Sequence, residues 1–191
     1  GEAQLSFDRA DRLLAGEELD FVIGSVHLSG KKFANMDLYY IEKGSEAYYD
    51  SVIDSYLDDV LALARWGRFQ VLGHQKFTAD PLPLDKNVPS NPLQDLVFRK
   101  FMYKQQARYE EQLRHVMRRA IEKGLGIECN TNRGNEPLPG EEILRLHRSL
   151  GGEIIPLGSD AHRPEDVGCF IRQRQELLRT CGFRHFTTFE R

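Results

Sequence analysis

The sequence predicts an α/β fold, built from βα units around a parallel sheet or barrel. Three observations predict it. Short apolar runs alternate with longer segments of helical spacing along the whole chain. The helical segments stop at glycines: Gly16, Gly67, Gly124 and Gly151. Three of the apolar runs end in a glycine followed closely by a histidine.

Residues 5–14 carry Leu5, Ala10, Leu13 and Leu14 among charges, a weakly amphipathic helix closed by Gly16. Residues 19–26 form a mostly apolar strand that runs into Gly24-Ser25-Val26-His27. A loop follows through Gly30, Lys31, Lys32 and Asn35. Ser45 is placed to cap a long helix reaching Trp66. Tyr49, Val52, Ile53, Tyr56, Leu57, Val60, Leu61 and Ala64 give that helix one wide apolar face. Residues 69–72 are a short strand ending in Gly73-His74. Residues 80–92 hold four of the eight prolines and read as a loop within the domain, because the βα rhythm resumes beyond them. A helix is expected over about 93–123, with a break near Tyr103. Residues 125–130 are a strand, and Thr131 to Asn135 a polar loop. A helix over 141–150 closes at Gly151-Gly152. The apolar run from Ile154 to Leu157 is a buried strand that breaks at Gly158-Ser159 and delivers Asp160 and His162. Pro164 sits where a further helix can begin, and that helix extends to about Thr180. Residues 183–189 form a final strand. The count is five strands, short of a closed barrel.

The 191 residues suffice for one domain, 1–191, with a sizeable core. Hydrophobic residues at 40% and charged residues at 29% are those of an ordinary globular chain. A formal net charge of -3 gives no support for nucleic acid or an anionic membrane as partner. No apolar run approaches the roughly 20 residues of a membrane span, and no signal-peptide pattern opens the sequence. Cys129, Cys169 and Cys181 are odd in number and scattered. That favours reduced thiols and a cytoplasmic setting. The first residue is Gly1, which admits a processed chain or a fragment.

Chemistry is expected at the strand ends. In a parallel sheet, Gly24-Ser25-Val26-His27, Gly73-His74 and Gly158-Ser159-Asp160-Ala161-His162 all open onto one edge. The glycines let the backbone turn there. His27, His74, Asp160 and His162 then converge, and imidazole with carboxylate suits zinc, manganese or iron. Taken singly, Asp160 reads equally as a cap of the next helix and His162 as a loop histidine. Glu128 and Asn130 alternate with Ile127 and Cys129 and point to one side of their strand. Asn130 is expected to face the site, with Glu128 either supporting it from below or pairing with a basic residue. Arg133, in the loop beyond, is either a bidentate phosphate fork or a solvated arginine. His115 and His147 fall mid-helix among charges and read as surface residues. His185 opens the last strand, away from the mouths. Lys31-Lys32 and Arg118-Arg119 read as solvated faces, and Tyr39-Tyr40 and Tyr48-Tyr49 as core or rim.

Four stretches carry a family resemblance. They are Asp20-Phe21-Val22-Ile23-Gly24-Ser25-Val26-His27, Val71-Leu72-Gly73-His74, Gly126-Ile127-Glu128-Cys129-Asn130-Thr131, and the run from Ile155 through Gly158-Ser159-Asp160-Ala161-His162-Arg163-Pro164-Glu165-Asp166-Val167-Gly168. From about Asp20 onward the sequence closely resembles the histidinol-phosphatase branch of the PHP (polymerase and histidinol phosphatase) superfamily. The resemblance implies a partial distorted (β/α)7 TIM-like barrel, with about five of the seven units present. It implies two or three divalent metal ions (zinc, manganese or iron) and cleavage of phosphate monoesters, here L-histidinol phosphate in histidine biosynthesis. It places His27, His74, Asp160 and His162 on metal-ligand positions, with Asp160 and His162 nearest the chemistry. Arg133 matches, more loosely, a phosphate-binding loop, and Asn130 joins it at the substrate. Gln75 and Lys76 stand where the family has an apolar residue and an acid.

The family also opens with a His-x-His strand and then an Asp, a His and a Glu. The chain is expected to begin just after that Glu-bearing strand. Glu2 reads as lying past the strand end and is not assigned as a ligand. The expectation is then weak metal binding and slow phosphate-ester turnover, in a protein that acts on a small phosphorylated substrate and can form a homo-oligomer through an exposed barrel edge. Two alternatives stand beside it. One is a non-catalytic or incomplete fragment that oligomerises; the other is a PHP phosphoesterase or nuclease with another substrate.

Overall fold

Strand β2 (Val71–Leu72) is buried completely, and sequences buried on both faces are what parallel sheets require. In the computed structural model, which describes residues 2–28, 30–37, 44–73, 106–135 and 137–190, β2 lies between β1 (Ile23–Gly24) and β3 (Gly126–Ile127). Both pairings are parallel. Ile23 and Gly126 flank Val71, and Gly24 and Ile127 flank Leu72. Strand β4 (Cys129–Asn130) pairs in parallel with β5 (Leu157–Gly158), setting Cys129 against Leu157 and Asn130 against Gly158.

The stretch from 126 to 130 joins the two pieces. Its amides alternate sides: Gly126 and Glu128 donate to Gln70 and Leu72, while Ile127 and Cys129 donate to Ile154 and Pro156. The sheet is therefore one bent layer, ordered β1, β2, β3 with β4, then β5. Beyond β5, Thr187 N–H donates to the Ile155 carbonyl and the Thr187 hydroxyl accepts from the Ile155 amide. The rings of Phe21 and Phe189 then meet, with centroids 4.4 Å apart, and connect that outer segment to the approach of β1. The result is a partial distorted β/α barrel.

The helices pack outside this layer. Helix α1 (Phe7–Ala15) buries no residue fully. It is held by Phe7 stacked on Trp66 and by Asp11, which accepts from the Trp66 indole. Helix α2 (Glu46–Trp66) begins where the Ser45 hydroxyl accepts from the Tyr48 amide and ends at Gly67, at φ +65°. Its face of Tyr49, Val52, Ile53, Tyr56, Leu57, Val60 and Leu63 is buried against the sheet and against α3 (Gln106–Glu122). Each such side chain contributes about 1.5–3 kcal/mol on burial. Helix α4 (Glu141–Ser149) buries Ile143, Leu144 and His147, and α5 (Ile171–Thr180) buries Leu178. No helix among the described residues is long and apolar enough to cross a membrane.

Several expected elements differ in extent. The strands pair over two residues each. Residues 183–189 form no regular strand: the Thr187 side chain, not a backbone carbonyl, takes the Ile155 amide, and the ladder stops there. The expected helix from Pro164 begins as a 3-10 turn (Pro164–Asp166). Gly168 and Phe170 then adopt positive φ, and α5 starts only at Ile171. His147 is not a surface residue; it is fully buried. Its position three and four residues after Leu144 and Ile143 puts it on the apolar face, where its ring lies against Gly152 and Phe183. Residues 74–105, with His74, the proline-rich loop and the first part of the expected long helix, lie outside the described residues, as do Tyr39 and Tyr40.

Candidate metal centre

Parallel register puts the C-terminal ends of β1, β2, β4 and β5 on one edge. The three glycines at these ends serve a different purpose from the one expected. None of Gly24, Gly73 and Gly158 has a positive φ, so none is there to turn the chain. They are there for space. A Cβ on Gly158 would stand 1.9 Å from Oε1 of Glu128, and a Cβ on Gly73 would stand 2.4 Å from Cγ2 of Ile23 and 3.6 Å from Oε2 of Glu128. The Glu128 carboxylate thus lies in the sheet edge, between β2 and β5, and is buried.

At the β1 mouth the decisive partner is one the sequence reading set aside. Glu2 Oε1 lies 2.7 Å from His27 Nδ1, and Glu2 Oε2 accepts the backbone amides of His27 and Leu28 and the Gln4 amide. Partial burial alone would push the Glu2 carboxyl up. The hydrogen bonds from His27, Gln4 and the two amides outweigh it and hold the group at about 2. An ionised carboxylate only accepts, so Nδ1 of His27 donates to Glu2. Nearby, the α2 residue Asp59 rests against Gly30. Its carboxyl is pushed up by burial, then by the charges of Asp58 and Glu2.

Beyond β5, Asp160 and His162 are exposed, and Asp160 takes φ +49°. His162 Nδ1 lies 2.7 Å from the Asp160 carbonyl, which can only accept, so Nδ1 donates to it. Asn130 is buried, and its Oδ1 accepts the Asn132 amide. It thereby shapes the 3-10 turn Asn132–Gly134, in which Asn132 and Arg133 both have positive φ. Arg133 itself is exposed. Arg174, from α5, donates Nη2 to the carbonyls of Thr131 and Asn135 and so braces both ends of that turn. His115 and His185 are exposed and lie apart from these mouths.

Among the described residues no three His, Cys, Asp or Glu side chains gather in one cluster. Glu2 and His27 meet through their side chains, whereas His162 meets only the backbone carbonyl of Asp160, and His74 lies outside the described residues. Carboxylate and imidazole are the donor types of zinc, manganese and iron sites, and the Glu2–His27 pair fits one ligand position of such an ion. Glu2 was set aside because it reads as lying past a strand end, and a carboxylate in such a place has no periodic context to mark its partner. Arg174 was missed because nothing distinguishes it from other helical arginines.

No family model matches the chain. The chain is 26% identical over 175 residues to the histidinol-phosphatase of Lactococcus lactis subsp. lactis (strain IL1403), covering 89% of this chain and 58% of that protein. It is 22% identical over 172 residues to a probable histidinol-phosphatase of Clostridium acetobutylicum, covering 87% of this chain and 60% of that one. The crystal structure of the histidinol phosphate phosphatase of Lactococcus lactis, complexed with zinc, L-histidinol and phosphate, superposes with a TM-score of 0.63 at 21% identity. The two share one fold. The match covers 95% of this chain and 64% of that enzyme. The chain spans about three fifths of the length of the curated relatives it matches.

Proposed function

We propose that this chain carries a divalent-metal site for hydrolysis of phosphate monoesters, with L-histidinol phosphate as the substrate. The observation that carries the reading is the Glu2–His27 pair at the β1 mouth. A buried-side carboxylate that fixes Nδ1–H and offers Nε2 is the usual arrangement behind a metal-bound imidazole. Similarity to two histidinol-phosphatases, and to a fold solved with zinc, L-histidinol and phosphate, supports the same reading.

In this reading His27, His74, Asp160 and His162 hold the metal, and Glu2 orients His27. Asn130 shapes the turn that presents Arg133 to the phosphate, and Arg174 holds that turn from behind. The burial of Glu128 keeps water out from beneath the site. A bound divalent ion supplies Lewis acidity and lowers the pKa of water toward about 7. Arg133 adds positive charge where the phosphoryl oxygens develop negative charge. An unligated His162 that carries a proton on Nε2 as well as on Nδ1 would hand it to the leaving alkoxide. The role is a cytoplasmic, biosynthetic one. Ile23, at the outer edge of the sheet and 40% exposed, supports association through that edge.

Elemental analysis and phosphate release from L-histidinol phosphate test the reading together. The expected result is divalent metal co-purifying with the chain and slow, metal-dependent release. Both should fall by at least tenfold in His162→Ala and His27→Ala, on the scale of losing a charged or coordinating contact of about 1.4 kcal/mol or more. Release that persists in chelator, or that neither substitution changes, would sink the proposal.

A further inference from the structure

A second set of basic residues lies at the opposite end of the sheet. The C-terminal turns of α2 and α3 lead into β2 and β3, so they sit at the N-terminal rim, away from the strand mouths. Between them is a groove of about 340 Å³ lined by Arg65, His115, Arg118, Arg119 and Glu122. That volume is in the range of small-molecule sites. His115, Arg118, Arg119 and Glu122 follow the i, i+3, i+4, i+7 spacing of a single helix face, and Arg65 faces them from α2. The neighbouring face of α3, with Val116, Met117 and Ala120, is the one committed to the core.

The charge is unbalanced. Arg119 pairs with Glu122 at 3.0 Å, which leaves Arg65 and Arg118 with no acid in the groove. Helix dipoles account for part of this: Arg65 and Arg119 stand in the last turns of their helices, where cations are favoured. They do not account for Arg118 and His115, which bring further donors to the same wall across from Arg65. Guanidiniums that line one groove are favoured by an anion between them, and their planar forks match phosphate oxygens.

We infer that this groove is a binding site for a compact, multiply charged phosphate anion of the pyrophosphate type, separate from the candidate metal centre. Arg65 and Arg118 grip it from the two helices, and His115 adds a neutral or charged N–H donor. Glu122 limits affinity by occupying Arg119.

Calorimetric titration of the whole chain with inorganic pyrophosphate tests this, at ~0.1 M salt, where exposed charges more than about 10 Å apart are largely screened, and with chelator present to clear metal. Saturable one-site binding is expected. Arg65→Ala and Arg118→Ala should each weaken it by about tenfold or more, the usual size of a charge-assisted hydrogen bond. Glu122→Gln should tighten it, a change of sign that misfolding cannot produce. Arg133→Ala, at the other end of the sheet, should leave it unaltered. Absence of saturable heat, or binding lost with Arg133→Ala and kept in Arg65→Ala, would overturn the inference. Neither outcome bears on whether the metal centre turns over an ester.

Discussion

Glu2 shows how much a single side chain can decide. Its two oxygens engage one ring nitrogen and two backbone amides of the segment that carries His27, so the imidazole is held in orientation as well as in tautomer. Carboxylates in this supporting position are worth roughly 10–100-fold in metal affinity. Glu2→Ala should therefore lower zinc affinity by about that factor in competition with a chromophoric chelator, with the fold retained by circular dichroism. Unchanged affinity would mean that the carboxylate serves only the local backbone. That His27 follows one strand and Asp160 and His162 another was legible in the sequence, because hydrophobicity marks both strands. Their carboxylate support was not. Glu2, and the wedge that Glu128 makes against Gly158, depend on which strands become neighbours, and local pattern carries no record of that.

At the scale of the element, α4 conceals a titratable group. His147 is fully enclosed between Gly152 and Phe183, and neither ring nitrogen makes a well-formed hydrogen bond. Burial drives its pKa down to about 4; the Ile154 backbone opposes this in part, and the charge of Arg148 adds to it. In the unfolded chain the same imidazole takes up its proton near the ordinary value of about 6.5. Between these two values the unfolded state binds more protons, so stability falls as pH falls from 6.5 to 4, and the contribution is fully present only above 6.5. The loss between pH 7 and pH 5 should be about 2 kcal/mol from this residue alone. Urea midpoints at those two pH values check it: His147→Leu should show a drop smaller by that amount, and an equal drop in both proteins would remove His147 as the cause. The charged neighbours that led the sequence reading to place His147 outside are a poor guide here. The spacing from Ile143 and Leu144 was the better signal, since three- and four-residue steps return to the same helix face.

For the molecule as a whole, βα alternation was readable because it rests on periodicity, and parallel order followed from it. The extent of each strand was not, because it depends on which segments come to lie alongside one another. Closure of the curved layer is likewise a long-range matter. It rests on Phe21 and Phe189, near opposite ends of the chain, whose rings pack at 4.4 Å. An aromatic pair of this kind is worth about 0.5–1.5 kcal/mol beyond the area it buries. Phe189→Ala should lower the unfolding free energy by about 2–3 kcal/mol once the lost burial is included, and amide exchange should quicken around Thr187 and Ile155. Exchange unchanged at those amides would show that the outer segment is held without the ring pair. The carboxylate lodged between Gly73 and Gly158 has a consequence of another kind. It ties position 158 to the acid, while position 73, which the acid only touches, answers to Ile23 instead. Whatever keeps Glu128 must keep 158 without a side chain. A graft that moves the acid alone into a rim with a side chain there meets a collision that its donor never had.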